Sequence, residues 1–271
     1  MKKQSIYGAL IAMVAMGAAF VSCTNVDNPY NPTPSDGKYV MSQDSVVYTN
    51  GDVYIKNWEY DDEGNMVKET INYCYADGTT DQVVGTYTYT PDLITSKATY
   101  LNGDTDVFYY RLNDKGLIEQ LENATTGDIG KYNYSDDNRI ISYSEDESKH
   151  TVTWKNGDVA EYDNHIGIAY FSYTNYEVNF PYLIYYVGLI DDILAQMGYF
   201  GKAPRHLLSN FVYDVEDVEG YSEHYSNDYS YVVLDGLVME YTETCDDVIT
   251  LDGETDDQSF VRHHYIKWEK R

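Results

Sequence analysis

The chain has 271 residues, with 45 Asp and Glu against 18 Lys and Arg, a formal charge of −27. Such a surface repels the phosphates of DNA and RNA and the headgroups of anionic lipid, so nucleic acid is not an expected partner. Tyrosine dominates the aromatic residues, 31 against 7 Phe and 3 Trp; this suits strands whose rings pack while their hydroxyls stay wet.

The N-terminus reads as an address. Lys2 and Lys3 precede an apolar stretch from Ile6 to Phe20, which closes on Phe20-Val21-Ser22-Cys23. The stretch has the length of a signal-peptide core and is short for a membrane-spanning helix. Small and apolar residues ahead of a cysteine resemble the lipobox of type II signal peptides. That resemblance implies cleavage after residue 22, diacylglyceryl transfer to the Cys23 thiol and acylation of its new amine. The expected partner is then a membrane, held through the lipid, and the expected location is the cell envelope, at the outer membrane. Residues 23–42 read as the lipidated cysteine and a tether, with Pro29, Pro32 and Pro34 keeping it extended. About 19 such residues reach at most ~65 Å. The folded domain is expected over 43–271.

From about 45 to 178 one pattern recurs. Two aromatic or apolar residues stand two apart, a polar turn follows, and an apolar residue opens the return. The pairs are Trp58 and Tyr60, Tyr87 and Tyr89, Phe108 and Tyr110, Tyr132 and Tyr134, Val152 and Trp154, Phe171 and Tyr173, with Tyr229 and Tyr231 further on. The turns include Asp61-Asp62-Glu63-Gly64-Asn65, Asn113-Asp114-Lys115-Gly116, Ser135-Asp136-Asp137-Asn138, Asn156-Gly157 and Asp235-Gly236; Asn50-Gly51 and Asn102-Gly103 mark further hairpin ends. Asn-Gly and Asp-Gly supply the positive φ that tight hairpins need. Spacing two puts each pair on one sheet face, and Glu59, Thr88, Asn133 and Thr153 fall on the other. Sequential hairpins pair with their neighbours, and a long meander curls. The expected fold is mainly β, an antiparallel up-and-down meander forming a barrel or a curved half-barrel.

The middle breaks the pattern. Leu183, Val187, Ile190, Leu194 and Met197 fall at helical spacing between Pro181 and Met197, and Gly198 is a plausible stop. Lys202 to Leu208 are expected to start a second short helix. One or two helices near 181–208 would cap or plug the sheet. Strands resume from about 211.

Two resemblances rest on these residues. Tyr60-Asp61-Asp62-Glu63-Gly64-Asn65-Met66, and more loosely Tyr134-Ser135-Asp136-Asp137-Asn138-Arg139-Ile140, look like YD repeats, the hairpin units of Rhs-type proteins. Over 45–270 the hairpins, the interrupting helix and the returning strands resemble an uncharacterised Bacteroidales lipoprotein family with a porin-like fold. That resemblance implies architecture and carries over no catalytic residue.

Candidate sites follow from the pattern. A concave face bearing Trp58, Tyr60, Tyr87, Tyr89, Tyr110, Tyr132, Tyr134 and Trp154 could bind a glycan or a protein partner; the alternative is that these rings fill the interior of a structural protein. Asp61, Asp62 and Glu63, and the run Asp252, Glu254, Asp256 and Asp257, could offer oxygens to calcium, although hairpin turns use the same residues; no other cofactor is expected. His263 and His264 are adjacent in a strand and should face opposite ways. Cys74 and Cys245 could pair in an oxidising compartment or stay apart as thiols. There is no Gly-x-Ser-x-Gly, no His-Glu-x-x-His and no Gly-rich phosphate loop, so no catalytic residue is expected and a binding module is the preferred reading.

Overall fold

The computed structural model describes residues 39–145, 148–164, 166–177, 192–218 and 221–270. The signal sequence, Cys23, residues 24–38, His165, Leu183, Val187 and Ile190 lie outside them. The described strands are β1 (Tyr39–Tyr48), β2 (Val53–Tyr60), β3 (Met66–Cys74), β4 (Thr80–Tyr89), β5 (Leu93–Tyr100), β6 (Thr105–Leu112), β7 (Ile118–Asn123), β8 (Ile129–Tyr134), β9 (Ile140–Glu145), β10 (Ser148–Lys155), β11 (Asp158–Asp163), β12 (Ile168–Glu177), β13 (His206–Val218), β14 (Tyr221–Leu234), β15 (Leu237–Leu251), β16 (Glu254–Asp257) and β17 (Phe260–Lys270). β1 begins inside the stretch read as tether, because Tyr39 to Met41 pair with Trp268 to Lys270.

From β1 to β16 each strand pairs antiparallel with its neighbour in sequence, and β1 pairs with β17 from Tyr39↔Lys270 to Tyr48↔Arg262. β15 pairs first with β16 and then with β17, which follow one another along the same side of it. The result is a closed barrel of 16 strands. The alternative of an open half-barrel is thereby removed, and only the short acidic β16 keeps a free edge among the described strands.

Side chains alternate as the pattern requires. All the aromatic pairs face inward: Trp58, Tyr87, Tyr110, Tyr132, Phe171 and Tyr229 are buried, and Tyr60, Tyr89, Phe108, Tyr134, Trp154, Tyr173 and Tyr231 pack against the same core. Many outward positions are polar. Glu59, Thr86, Thr88, Lys97, Arg111, Lys131, Asn133, Thr151, Thr153, Glu161 and Asp163 are exposed there.

The tight turns use left-handed residues. Asn156-Gly157 and Asp235-Gly236 both have positive φ at each position, and so does Asp252-Gly253, which closes the β15–β16 hairpin. The acidic run 252–257 is therefore hairpin and strand.

One end of the barrel is plugged. The helix α1 (Asp192–Gln196) buries Leu194 and Ala195, Gly198 ends it with φ of 88°, and Phe200 meets Tyr132 edge-on at 5.2 Å. The following stretch does not form the expected second helix. Arg205 N and His206 N both donate to Asp158 Oδ1, at 2.7 and 2.9 Å, and His206 Nδ1 lies 2.8 Å from Asp158 Oδ2, so the chain is pulled straight into β13. Leu207 and Leu208 are both buried because the β12 to β13 register shifts between Tyr173 and Glu177. Two apolar neighbours at a bulge imitate a helical face.

The second ring of most pairs has a further job at the plugged end. Hairpin ladders there close with a bulge, at Glu59/Tyr60, Asn133/Tyr134, Thr153/Trp154 and Val232/Val233. Strands of neighbouring hairpins diverge; β3 and β4, for example, stop pairing at Lys68↔Thr86. The gap is bridged by side chains. Tyr60 donates to Met41 O at 2.7 Å, Tyr89 to Met66 O at 2.7 Å, Tyr134 to Ile118 O at 2.6 Å, Trp154 to Ile140 O at 2.7 Å, Tyr231 to Leu208 O at 2.7 Å and Trp268 to Val238 O at 2.8 Å. Six donors thus satisfy six carbonyls that the ladder leaves open.

Two measurements check this account. Gly201 has φ of 81° and an added Cβ would lie 2.2 Å from Asn138 O, whereas Gly198 has open space. In chemical denaturation Gly201→Ala should cost about 2 kcal/mol or more, and Gly198→Ala only about 1 kcal/mol. Tyr89→Phe should cost about 1–2 kcal/mol by stranding the Met66 carbonyl.

Candidate functional site

The far end of the barrel, where the turns 49–52, 75–79, 101–104 and 252–253 lie, has a different inner wall. Its most charged part spans β14, β15, β17, β1, β2 and β3, which are consecutive neighbours. Cross-strand register brings residues far apart in sequence together: Asp44↔Ile266, Val46↔His264, Glu243↔Arg262 and Tyr241↔His264.

His264 sits at the centre, buried. Its Nδ1 lies 3.1 Å from Asp44 Oδ2, its Nε2 lies 3.8 Å from Glu243 Oε2, and its ring stacks on Tyr241 with centroids 3.8 Å apart. Glu243 is gripped from the other side by Arg262, with Nε 2.8 Å from Oε2 and Nη2 donating to Oε1 at 2.9 Å. Tyr229 also donates to Glu243 Oε1, at 3.2 Å. Burial alone would push His264 down, but the two carboxylates outweigh it and its pKa is raised. Burial likewise opposes the Arg262 charge, and Glu243 holds it on.

Above this cluster runs an arc of rings. Phe260, Tyr48, Tyr54 and Tyr73 come from β17, β1, β2 and β3, with successive centroids 6.1, 5.8 and 5.8 Å apart, and Tyr75 stacks on Tyr73 at 6.4 Å. The Arg262 guanidinium lies 4.7 Å from the Phe260 centroid and 5.7 Å from that of Tyr48. Burial raises the pKa of Tyr54 and Tyr73, against the opposing charge of Lys56, which faces the same side.

Both ring nitrogens of His264 face carboxylates. The group beyond His264 Nε2 is a second carboxylate, where a relay would need a nucleophile. Cys245, nearby on β15, is a free buried thiol whose pKa burial pushes up to about 11. Among the described residues no three His, Cys, Asp or Glu side chains are placed to share a metal ion. Asp61 already accepts from Glu63 N, Asn65 N and Asn65 Nδ2 at 3.0, 2.8 and 3.1 Å, holding its own turn; Asp62 and Glu63 are exposed beside it.

Other expected sites fall elsewhere. Trp58, Tyr60, Tyr87, Tyr89, Tyr110, Tyr132, Tyr134 and Trp154 are brought together, but as packed core and as donors to backbone, so they do not form an open face. The Cys74 to Cys245 bridge is not formed. Three strands separate them, four spacings of about 4.8 Å along the wall, and Cys74 shares the outward face with Lys68 while Cys245 faces inward. His263 and His264 do point to opposite faces; His263 Nδ1 lies 3.1 Å from Thr242 Oγ1 on the outside. The sequence reading missed Asp44, Glu243 and Arg262. Only register could have singled them out.

Comparison with known proteins supports the fold alone. The chain is similar in structure to a porin-like protein from Bacteroides uniformis, with a TM-score of 0.60 and 15% identity, over 83% of this chain and 97% of that one. A porin-like protein from Bacteroides vulgatus aligns over 83% and 98% at 13% identity, with a TM-score of 0.31 too low to carry weight. No protein-family model matches the chain, and no curated protein does. The porin-like architecture is thereby shown, and neither the lipoprotein family nor the YD repeat is.

The pH dependence tests the cluster. Because the folded pKa of His264 is raised, its contribution is complete below the unfolded value of about 6.5 and is lost as pH climbs through the folded value. Melting temperature should therefore fall on the alkaline side, as Asp44 and Glu243 lose the cation between them. His264→Gln should start less stable at pH 6 and show a flatter decline; an unchanged slope would remove His264 from the account.

Proposed function

We propose that this chain is a lipid-anchored protein of the bacterial envelope whose barrel stands in water and works by binding rather than catalysis. The observation that carries the reading is the outer wall. A barrel in lipid needs an apolar outward band on every strand, and strands of about 9–11 residues. Here β7, β8, β9 and β11 have six residues each, and exposed Thr, Lys, Asn, Glu and Asp hold the outward positions. The exposed large apolar residues, Ile129, Ile141, Ile166, Ile168, Tyr170, Tyr176, Val232, Leu234 and Leu251, fall on β8, β9, β12, β14 and β15 and the turn before β12, and not on every strand. The Cys23 lipid would then supply the membrane attachment that the barrel surface does not. A porin-like relative in structure from a Bacteroides species is in keeping with an envelope setting.

A second reading, a structural or assembly lipoprotein, draws on the filled plugged end. What favours binding is the far end, where charge and aromatic rings face inward beyond what closing the barrel requires.

Replacing residues 1–23 by a conventionally cleaved leader should give a periplasmic protein that is β-rich and monodisperse without detergent. The native leader should give a membrane-bound form. Carbonate-resistant membrane retention of the form without Cys23 would overturn the water-standing barrel.

A further inference from the structure

We propose that the aromatic arc at the far end is the binding site itself, and that it takes neutral oligosaccharides. This deepens the binding reading above and rests on it.

The two ends of the barrel use tyrosine differently. At the plugged end the hydroxyls of Tyr60, Tyr89, Tyr134 and Tyr231 are committed to backbone carbonyls. In the arc the hydroxyls of Tyr48, Tyr54, Tyr73 and Tyr75 make no hydrogen bond to any described residue, although the rings are more than half buried, and that of Tyr75 is shielded from solvent. Below the arc Asn227 is fully buried; its Nδ2 donates to Tyr225 and Tyr229, yet its Oδ1 has no partner. Buried polar atoms without partners are rare and call for a cause. Two such atoms, Tyr75 Oη and Asn227 Oδ1, share one inner wall with the hydroxyls of Tyr48, Tyr54 and Tyr73, which stay open to solvent; together they point to a guest that supplies hydroxyls.

The geometry selects the class. Rings from four adjacent strands make a track across the wall, which suits an extended guest with alternating apolar faces and polar rims. Charge narrows it further. The π faces of Phe260 and Tyr48 already carry the Arg262 guanidinium, so a second cation would be repelled. Arg262 is itself neutralised by Glu243, His264 lies between Asp44 and Glu243, and Lys56, opposite Asp44 in the β1–β2 register, is also engaged, so these three cations of the wall are already matched. A chain of −27 also repels anionic glycans at a distance. A neutral sugar chain meets none of these penalties.

The test uses the full mature chain with Cys23→Ser and a set of gluco-, manno-, xylo- and galacto-configured neutral hexasaccharides in titration calorimetry. Binding of at least one is expected, insensitive to salt. Tyr54→Ala and Tyr73→Ala should weaken it by about tenfold or more, and Tyr54→Phe and Tyr73→Phe, which keep the packing, should weaken it less. Tyr170→Ala, on the outer wall, should leave it unchanged. No binding at millimolar concentration, a preference for the corresponding hexuronates, or affinity untouched by the arc variants would each overturn the inference. A detergent-free soluble barrel without sugar binding would fail this inference alone, whereas a membrane-integrated barrel would fail the reading beneath it.

Discussion

Closure of the meander, through the antiparallel pairing of β1 with β17, is the constraint on which the rest depends. It removes both sheet edges at once, and it fixes which side of every strand is inside. Because side chains alternate strictly, a single inside means that each strand must divide its residues between a packed or polar lumen and a wet exterior. The polar outer wall and the aromatic inner wall are the two halves of that division. The same pairing assembles the buried His264 cluster, since Asp44 and His264 are 220 residues apart in sequence and meet only across this seam.

The inner wall is itself divided. Toward the plug, the rings of Tyr60, Tyr89, Tyr134 and Tyr231 pack against the core and their hydroxyls are tied to carbonyls of other strands, so tyrosine behaves there as a hydrophobe with a built-in clasp. Toward the far mouth, the wall is charged and its charges are arranged as matched pairs. Buried carboxylates without cations would be costly, and Arg262 and His264 make them tolerable. The seventeen-strand path and the short plug thus give one barrel two interiors of different character.

The architecture was legible in the residues because hairpin chemistry is local. Asn156-Gly157 and Asp235-Gly236 announce their turns through φ alone, and Trp58 and Tyr60 announce a shared face through spacing. Asp252-Gly253 carried the same signal but was read as part of an acidic run. Where the reading failed, the cause was long range. Leu207 and Leu208 suggested a helix because a bulge buries two neighbours, and the Asp158 carboxylate that straightens the segment is 48 residues from His206. The inner-wall site was opaque for the same reason. Asp44 and Glu243 are two among 45 acids, and nothing nearby in sequence distinguishes them. The ring hydroxyls of the arc and those at the plug belong to identical residue types, and only their partners separate them.

The seam between the first and last strands also sets the order of events in biogenesis. Successive hairpins can form as the chain emerges, yet none can be sealed into a cylinder until Phe260 to Lys270 have been made, and loop closure over such a separation is slow. A polypeptide that must thread a translocon unfolded gains from this delay. On the export proposed above, the final cooperative step would fall on the far side of the membrane, where the last strand arrives and locks what precedes it.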